Sequence, residues 1–366
     1  MWGAVMIGRK AIGMIAAVLC VLPAMAAATE AREWLERMNR ALAEQSYEGT
    51  FFHERGGHSE SLRIHHRVKD GTVDERLVSL DGAQREFIRR GDEIMYVLPD
   101  QRAVLIERRS RGGGLLPHFP RFDEHTARFY RLEPIERTRV IGRAAQLVSL
   151  TPLDPYRYGY RVWIDARSAL PLKTETYDRR GRVLERISFA NLQLAEIPDE
   201  TFAPGVSVAN FRRIESDRGV RLTTVGDSSA VWNVQTMPRG FRLTQRAEQA
   251  LPGTVEPVSH LVFSDGLVSV SVFIGARLPP RASKEIALER QIGASTAYST
   301  FVHGHHVVVV GEIPVETAKL IATQLRPQAP AESGRPGTPG RPAEPSKPRE
   351  AFGVVQPRPA LAPIER

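Results

Sequence analysis

Cysteine is nearly missing from this chain: among 366 residues there is one, Cys20. It lies in an N-terminal segment laid out like a secretory leader. Arg9 and Lys10 come first, then an apolar run from Ala11 to Leu22, then Ala24-Met25-Ala26-Ala27-Ala28. The residue before Cys20 is Leu19, not the small residue a lipoprotein signal wants. Removal of residues 1–28 is expected to leave a mature chain without cysteine. That excludes disulfides and thiolate metal sites, so the cores must supply the stability. Long hydrophobic runs are also lacking. The leader's run is shorter than the roughly 20 residues a membrane span needs, and no later segment is apolar enough.

Catalytic signatures are lacking too. There is no Gly-x-Ser-x-Gly elbow, phosphate loop or dinucleotide fingerprint, and "RGGGLLP" lacks the strand-to-helix setting such loops need. "VGDSSA" (Val225–Ala230) looks like the nucleophile block of a Gly-Asp-Ser hydrolase, with Ser228 as the obvious nucleophile. No Asp-x-x-His follows to supply the base, and a triad is recognised by its complete set of roles. The acids are too scattered to pick out a glycosidase pair. We therefore expect no enzyme, no cofactor and no catalytic residue.

Charge of one sign is in modest excess, and its placement matters. The net charge is +8, of which residues 1–28 carry +2 (two bases) and residues 327–366 carry +2 (six bases, four acids). The middle keeps +8 − 2 − 2 = +4. With no zinc-finger spacing, RNP-type strand or basic helix, nucleic acid is not the expected partner. Lipid phosphates or acidic peptides fit a secreted, mildly basic chain better.

What is present reads as helix, then strands. Thr29 can cap a helix beginning at Glu30, with Trp34, Leu35, Met38, Ala41 and Leu42 on one face. Short strands follow at about ten-residue spacing, a meander pattern, divided by turn signals such as Asp70-Gly71, Asp81-Gly82 and Arg90-Gly91-Asp92. The last of these reads as a turn rather than an adhesion signal. One long curved antiparallel sheet with a helix against it accounts for this stretch. Residues 206–225 read as a polar, arginine-bearing connection. A second unit has strands around Val231–Val234, Leu267–Ile274 and His305–Val310, and a helix from about Pro314 to Leu325. From Pro327 on, ten of the 26 prolines fall in forty residues, a composition that cannot build a core.

"YEGTFFHERGGHSESLRIHHRV" (Tyr47–Val68) raises the question of metal. Turned at Gly56-Gly57, this hairpin puts Phe51 opposite Leu62, Gly49 opposite Ile64, Tyr47 opposite His66 and His53 opposite Glu60. Strand alternation then sends His65 and His66 to opposite faces, where they cannot share one ion. "HGHHVVVV" (His303–Val310) divides its histidines in the same way. A hairpin with one buried or half-buried histidine, His66, and solvent-facing neighbours is the expected reading, and no metal site is assigned.

Several blocks, in order, resemble the MucB/RseB family of periplasmic regulators of the sigma-E envelope stress response. They are "YEGTFFHERGG", "LRIHHRVKDG", "ERLVSLDGAQREFIRRGDEIMYVLPD", "YGYRVWIDARSALPLKTETYD", "FSDGLVSVSVFI" and "GEIPVETAKLIA". The resemblance covers most of residues 30–325; the leader and proline-rich tail lie outside it.

It implies an α+β protein with a large half-open antiparallel β-barrel resembling lipoprotein carriers, helices on its concave side, and a smaller α+β C-terminal domain. The expected divisions are leader 1–28, half-barrel 29–205, linker 206–225, small domain 226–326 and disordered tail 327–366. The implied function is binding the periplasmic domain of a membrane-bound anti-sigma factor, shielding it from a regulatory protease, and release by lipopolysaccharide or a lipoprotein's acyl chains. A lipid or lipoprotein carrier is the alternative, and homo-oligomerisation is left open.

Incomplete cover of such a sheet would leave an apolar groove. Its candidate walls are Phe51, Leu62, Ile64, Phe87, Met95, Val97, Val162 and Ile164. Arg63, Arg67, Arg108, Arg109 and Arg111 are candidates for lipid phosphates. Phe263, Leu267, Val270, Val272 and Phe273 are candidates for the peptide partner, which an exposed strand edge can accept.

Overall fold

The computed structural model describes residues 28–108, 125–216, 231–249, 257–277 and 287–328. Residues 28–44 are helical (α1). The strands β1 (Tyr47–Arg55), β2 (His58–Lys69), β3 (Thr72–Ser79), β4 (Glu86–Arg90), β5 (Glu93–Leu98) and β6 (Ala103–Arg108) follow. A second run comprises β7 (Tyr130–Val140), β8 (Arg143–Pro152), β9 (Gly159–Asp165), β10 (Pro171–Tyr177) and β11 (Val183–Leu194), and then β12 (Arg212–Ser216). All twelve lie in one sheet, ordered β12-β6-β5-β4-β3-β2-β1-β11-β10-β9-β8-β7. Two meanders, β1 to β6 and β7 to β11, are thus joined where β1 pairs with β11. β12 alone runs parallel to its neighbour, β6. Among the described residues no pairing joins β7 to β12.

The hairpin register is the one the sequence implies. Tyr47 faces His66, Gly49 faces Ile64, Phe51 faces Leu62 and His53 faces Glu60. The turn is made by Gly56 and Gly57, both at positive φ (56° and 82°). That is the left-handed pair a two-residue hairpin loop requires. α1 lays Ala31, Leu35, Met38, Ala41 and Leu42 onto Phe51, Leu62, Ile64, Val162, Ile164 and their neighbours, forming the larger core. Trp34 is half-buried at its margin, with the Arg37 guanidinium 4.2 Å above the ring. Ala28 and Thr29 are already helical, so Thr29 does not cap the helix. Alanine, the strongest helix former, carries the helix through.

The connection at 206–225 is not plain linker, because five of its residues form β12 on the edge of the large sheet. The smaller unit has a six-stranded antiparallel sheet ordered β14-β15-β16-β19-β18-β17. Its strands are β14 (Arg242–Gln249), β15 (Val258–Ser264), β16 (Ser269–Arg277), β17 (Leu288–Ile292), β18 (Ser295–Val302) and β19 (His305–Gly311). β13 (Val231–Val234) pairs with β20 (Leu325–Gln328) beside it. Helix α2 (Val315–Thr323) covers one face, burying Ala318, Ile321 and Ala322 against Val270, Val272 and Val309. Pro314 stands just before the helix rather than in its first turn. β14 and β17, "RLTQRAEQ" and "LERQI", have no clear alternation to mark them as strands. Pro327 and Gln328 belong to β20, so the strand runs two residues into the segment read as tail. The leader through residue 27, the tail from 329, and "VGDSSA" lie outside the described residues.

Candidate functional site

The helix side of the large sheet divides into two ends. Under α1 the surface is closed: Phe51, Leu62, Ile64, Val162 and Ile164 are all buried core. Toward β12 a single apolar row crosses six strands in register, Ile64–Leu77–Phe87–Tyr96–Leu105–Ile214. Its two ends differ in exposure: Ile64 is 0% exposed and Ile214 40%, while between them Phe87 is buried and Leu77, Tyr96 and Leu105 are half-buried. Phe87 is held edge-on by Tyr96, with ring centres 5.3 Å apart.

The eight candidate groove residues therefore do not line one groove. Five are sealed under α1, and Phe87 lies on the more open row. Met95 and Val97 are on the opposite face, packed with Ile88 beneath Ile197, Phe202, Val206, Val208 and Phe211. The sequence reading took the wrong parity in β5. Tyr96, not Met95 or Val97, shares a face with Phe87.

That opposite face is where the arginines are used. Arg67 pairs with Asp74 at 2.6 Å and Asp199 at 2.5 Å and lies 4.6 Å over the Phe202 ring. The hydrogen bonds it donates to Asp74 and Asp199 raise the pKa of its guanidinium further, against the effect of burial. Arg76 donates twice to Glu86 and once to the Thr201 carbonyl, while Glu86 accepts from the Gly205 amide. Arg90, at the expected Arg-Gly-Asp turn, donates to the Asp199 carbonyl. These bonds clamp residues 199–205 to the sheet. Arg67 is thus committed to structure rather than offered to a phosphate. Arg63 is exposed. Arg108 ends β6, and Arg109 and Arg111 lie outside the described residues.

Two of the hairpin's histidines are buried rather than the one expected: His53, 8% exposed, and His66, 1% exposed, the latter stacked on Tyr47 at 4.7 Å with Nδ1 2.9 Å from Glu75 Oε1. Burial, and then the Glu75 charge, drive the Tyr47 phenol well above its ordinary pKa, so it stays neutral. His65 points to the other face, toward Glu48. His53 is held between Glu185 (2.6 Å) and Glu60 (3.5 Å). Burial would lower its pKa, but hydrogen bonds to the two carboxylates outweigh that and raise it above 6.5. In the second run, His305 bonds the Gly275 carbonyl and His306 bonds Ser299.

The peptide candidates also separate. Phe263, Val270 and Val272 are buried under α2 and offer no surface. Phe273 is on the far face of that sheet, half-buried and stacked on His260 at 4.3 Å. Leu267 packs against both cores at once.

Leu267 marks a junction the sequence reading did not anticipate. Arg157, in the β8–β9 loop, is fully buried. Its Nε donates to Asp265 Oδ2 at 2.7 Å, Nη1 to Asp154, and Nη2 to the Arg239 carbonyl. Its guanidinium lies 4.6 Å from the Phe129 ring and 5.0 Å from the Phe241 ring. Asp265 uses its other oxygen to accept the Leu267 and Val268 amides. Gly240, at φ 93°, brings its backbone so close that an added Cβ would sit 2.4 Å from Phe129. The sequence signals here are three turns, Asp154-Pro155, Met237-Pro238-Arg239-Gly240 and Asp265-Gly266, with nothing to say that they meet.

Comparison with known proteins agrees with this two-part organisation. The MucB/RseB N-terminal domain matches residues 30–206 and the MucB/RseB C-terminal domain residues 226–326. The sigma factor AlgU regulatory protein MucB of Pseudomonas aeruginosa is 34% identical over 324 residues, 86% of this chain and 96% of that one. The sigma-E factor regulatory protein RseB of Escherichia coli is 28% identical over 302 residues, 80% of this chain and 89% of that one. Among solved structures, the Pseudomonas aeruginosa MucA/MucB complex aligns with TM-score 0.64 and 31% identity. It covers 82% of this chain and 99% of that one. A second structure, MucB bound to MucA(peri), scores 0.63 at the same coverage and identity. With both family domains matched in order, this chain belongs to the MucB/RseB family.

Proposed function

We propose that this protein is a periplasmic negative regulator of sigma-E-type signalling. It binds the periplasmic part of a membrane anti-sigma factor and shields it from regulatory proteolysis until a lipid or lipoprotein signal displaces it. The observation that carries this reading is the match, over 82% of the chain, to MucB in complex with MucA. The signal peptide read at residues 1–28 supports the compartment. The apolar row ending at Leu105 and Ile214 supports the lipid signal, since exposed apolar surface suits acyl chains. The small domain and the cleft beside it remain the proposed peptide site. Phe273 is the member of the original patch still outside the α2 core.

The test is calorimetric titration of the mature chain with the periplasmic segment of the host's anti-sigma factor, with and without lipopolysaccharide. Binding that the lipid weakens supports both halves. Binding indifferent to lipid removes the signal. No binding, with acyl chains co-purifying, moves the assignment to a carrier.

A further inference from the structure

The two sheets touch through contacts of different kinds. The hairpin tip at Gly56 rests on Ile292 and Gly293, and an added Cβ at Gly293 would meet Arg55 Cβ at 2.9 Å. Thr317 Oγ1 donates to the Tyr156 carbonyl at 3.1 Å, and Gln291 donates to the Tyr158 hydroxyl at 3.0 Å. Each of these constrains one direction and tolerates sliding or rotation in the others. Arg157 differs. Its three donor nitrogens reach three acceptors: Asp154 in its own loop, and Asp265 and the Arg239 carbonyl on the small unit. Phe129 and Phe241, one from each unit, lie against its plane. Asp265 is itself fixed by two amides of its turn and accepts the Tyr130 hydroxyl at 3.4 Å.

We propose that Arg157 is a lock that sets how the two sheets stand relative to each other, and that partner binding depends on the orientation it sets. The second half rests on the function proposed above; the first does not. The physical reason is the buried charge. A guanidinium and a carboxylate at 0% exposure cannot part gradually. Any rotation that separates them takes from Asp265 its buried counter-ion and leaves Arg157 only Asp154 of its three acceptors, or must open the junction to water. Intermediate orientations are therefore disfavoured, and the junction holds one orientation or releases entirely, as packed interfaces do. Planar guanidinium geometry adds the directionality that an apolar seam or a lysine would lack.

The experiment measures distance and affinity on the same protein. Spin labels are attached at Lys69→Cys and Leu288→Cys, both exposed positions and one on each unit, in a full chain carrying Cys20→Ala. The unsubstituted lock should give one narrow distance distribution. Asp265→Asn keeps an acceptor for the turn amides but sets an amide group against Arg157; it should broaden the distribution. Arg157→Met should broaden it too. Both should weaken binding of the anti-sigma segment at least about fivefold, the low end of coupling between sites.

Gln291→Ala, which removes another contact between the units, should leave both readouts unchanged. A narrow, unshifted distribution in folded Asp265→Asn protein overturns the lock. So does Gln291→Ala broadening as much as Asp265→Asn. Broadened distances with unchanged affinity overturn the dependence of binding on orientation. If the unsubstituted protein does not bind the segment at all, the proposed function fails while the distances still judge the lock.

Discussion

The two ends of one sheet face make an instructive pair. Under α1, side chains from β1, β2 and β7 to β11 are sealed into a single core. From β3 to β6 and on to β12 the same face carries an apolar row that is half-buried except at Phe87 and ends exposed at Ile214. Twelve strands at about 4.8 Å spacing span roughly 50 Å, and one helix is roughly 10 Å across. Among the described residues one helix lies on this face, and it cannot cover that width. The smaller sheet has half the strands, a helix of its own and the β13–β20 ribbon, and its helix side is sealed. Spare apolar surface on the large unit therefore follows from proportion. It points the lipid reading to the β12 end, away from the residues under the helix.

The largest effect expected from this contrast is at the closed end. Phe51→Ala should cost about 3–5 kcal/mol in urea unfolding, as for a large buried aromatic, and should leave binding of a fluorescent acyl probe unchanged. Leu105→Ala should cost less, under about 2 kcal/mol because the residue is only half-buried, but should weaken the probe. If Leu105→Ala binds the probe normally and Phe51→Ala does not, the two ends have been assigned the wrong way round. Ile214→Glu, on an exposed edge, should change stability by no more than about 0.5 kcal/mol and still lower probe binding through its charge.

The smallest effect is electrostatic. His53 has a raised folded-state pKa, so its contribution to stability is fully present below about pH 6.5 and lost as pH rises through the folded value. The stability gap between the natural chain and His53→Gln should therefore shrink on going from pH 6 to pH 9. A gap that widens with pH would show the carboxylates are not holding the proton there.

Much of the fold was legible in the sequence where period and turn chemistry agree. The β1–β2 register followed from Gly56-Gly57 and alternation, and α1 from its apolar stripe. β14 and β17 were illegible because an edge strand with mixed polar sequence has no buried face to impose a period. The candidate site was less legible. Residues such as Met95 and Tyr96 can both fill a core, and only pairing with β4 decides which faces the helix. Arg67 and Arg157 looked like ordinary arginines. Their partners Asp199 and Asp265 are 132 and 108 residues away in sequence, a distance that local pattern does not bridge.

The joining of the two meanders also bears on how the chain reaches this state as it folds. Within each meander a strand pairs with the one just made, so pairing proceeds by short loops. The β1–β11 seam, from Tyr47 opposite Leu194 onward, instead closes a loop well over a hundred residues long. Such long-range closure is the slow part of assembling a β-protein. α1 rests on strands from both sides of that seam. A chain emerging amino-end first must therefore hold an unburied amphipathic helix and two open strand edges until β11 arrives. That interval, rather than the finished sheet, is when it is most open to proteases and to its neighbours.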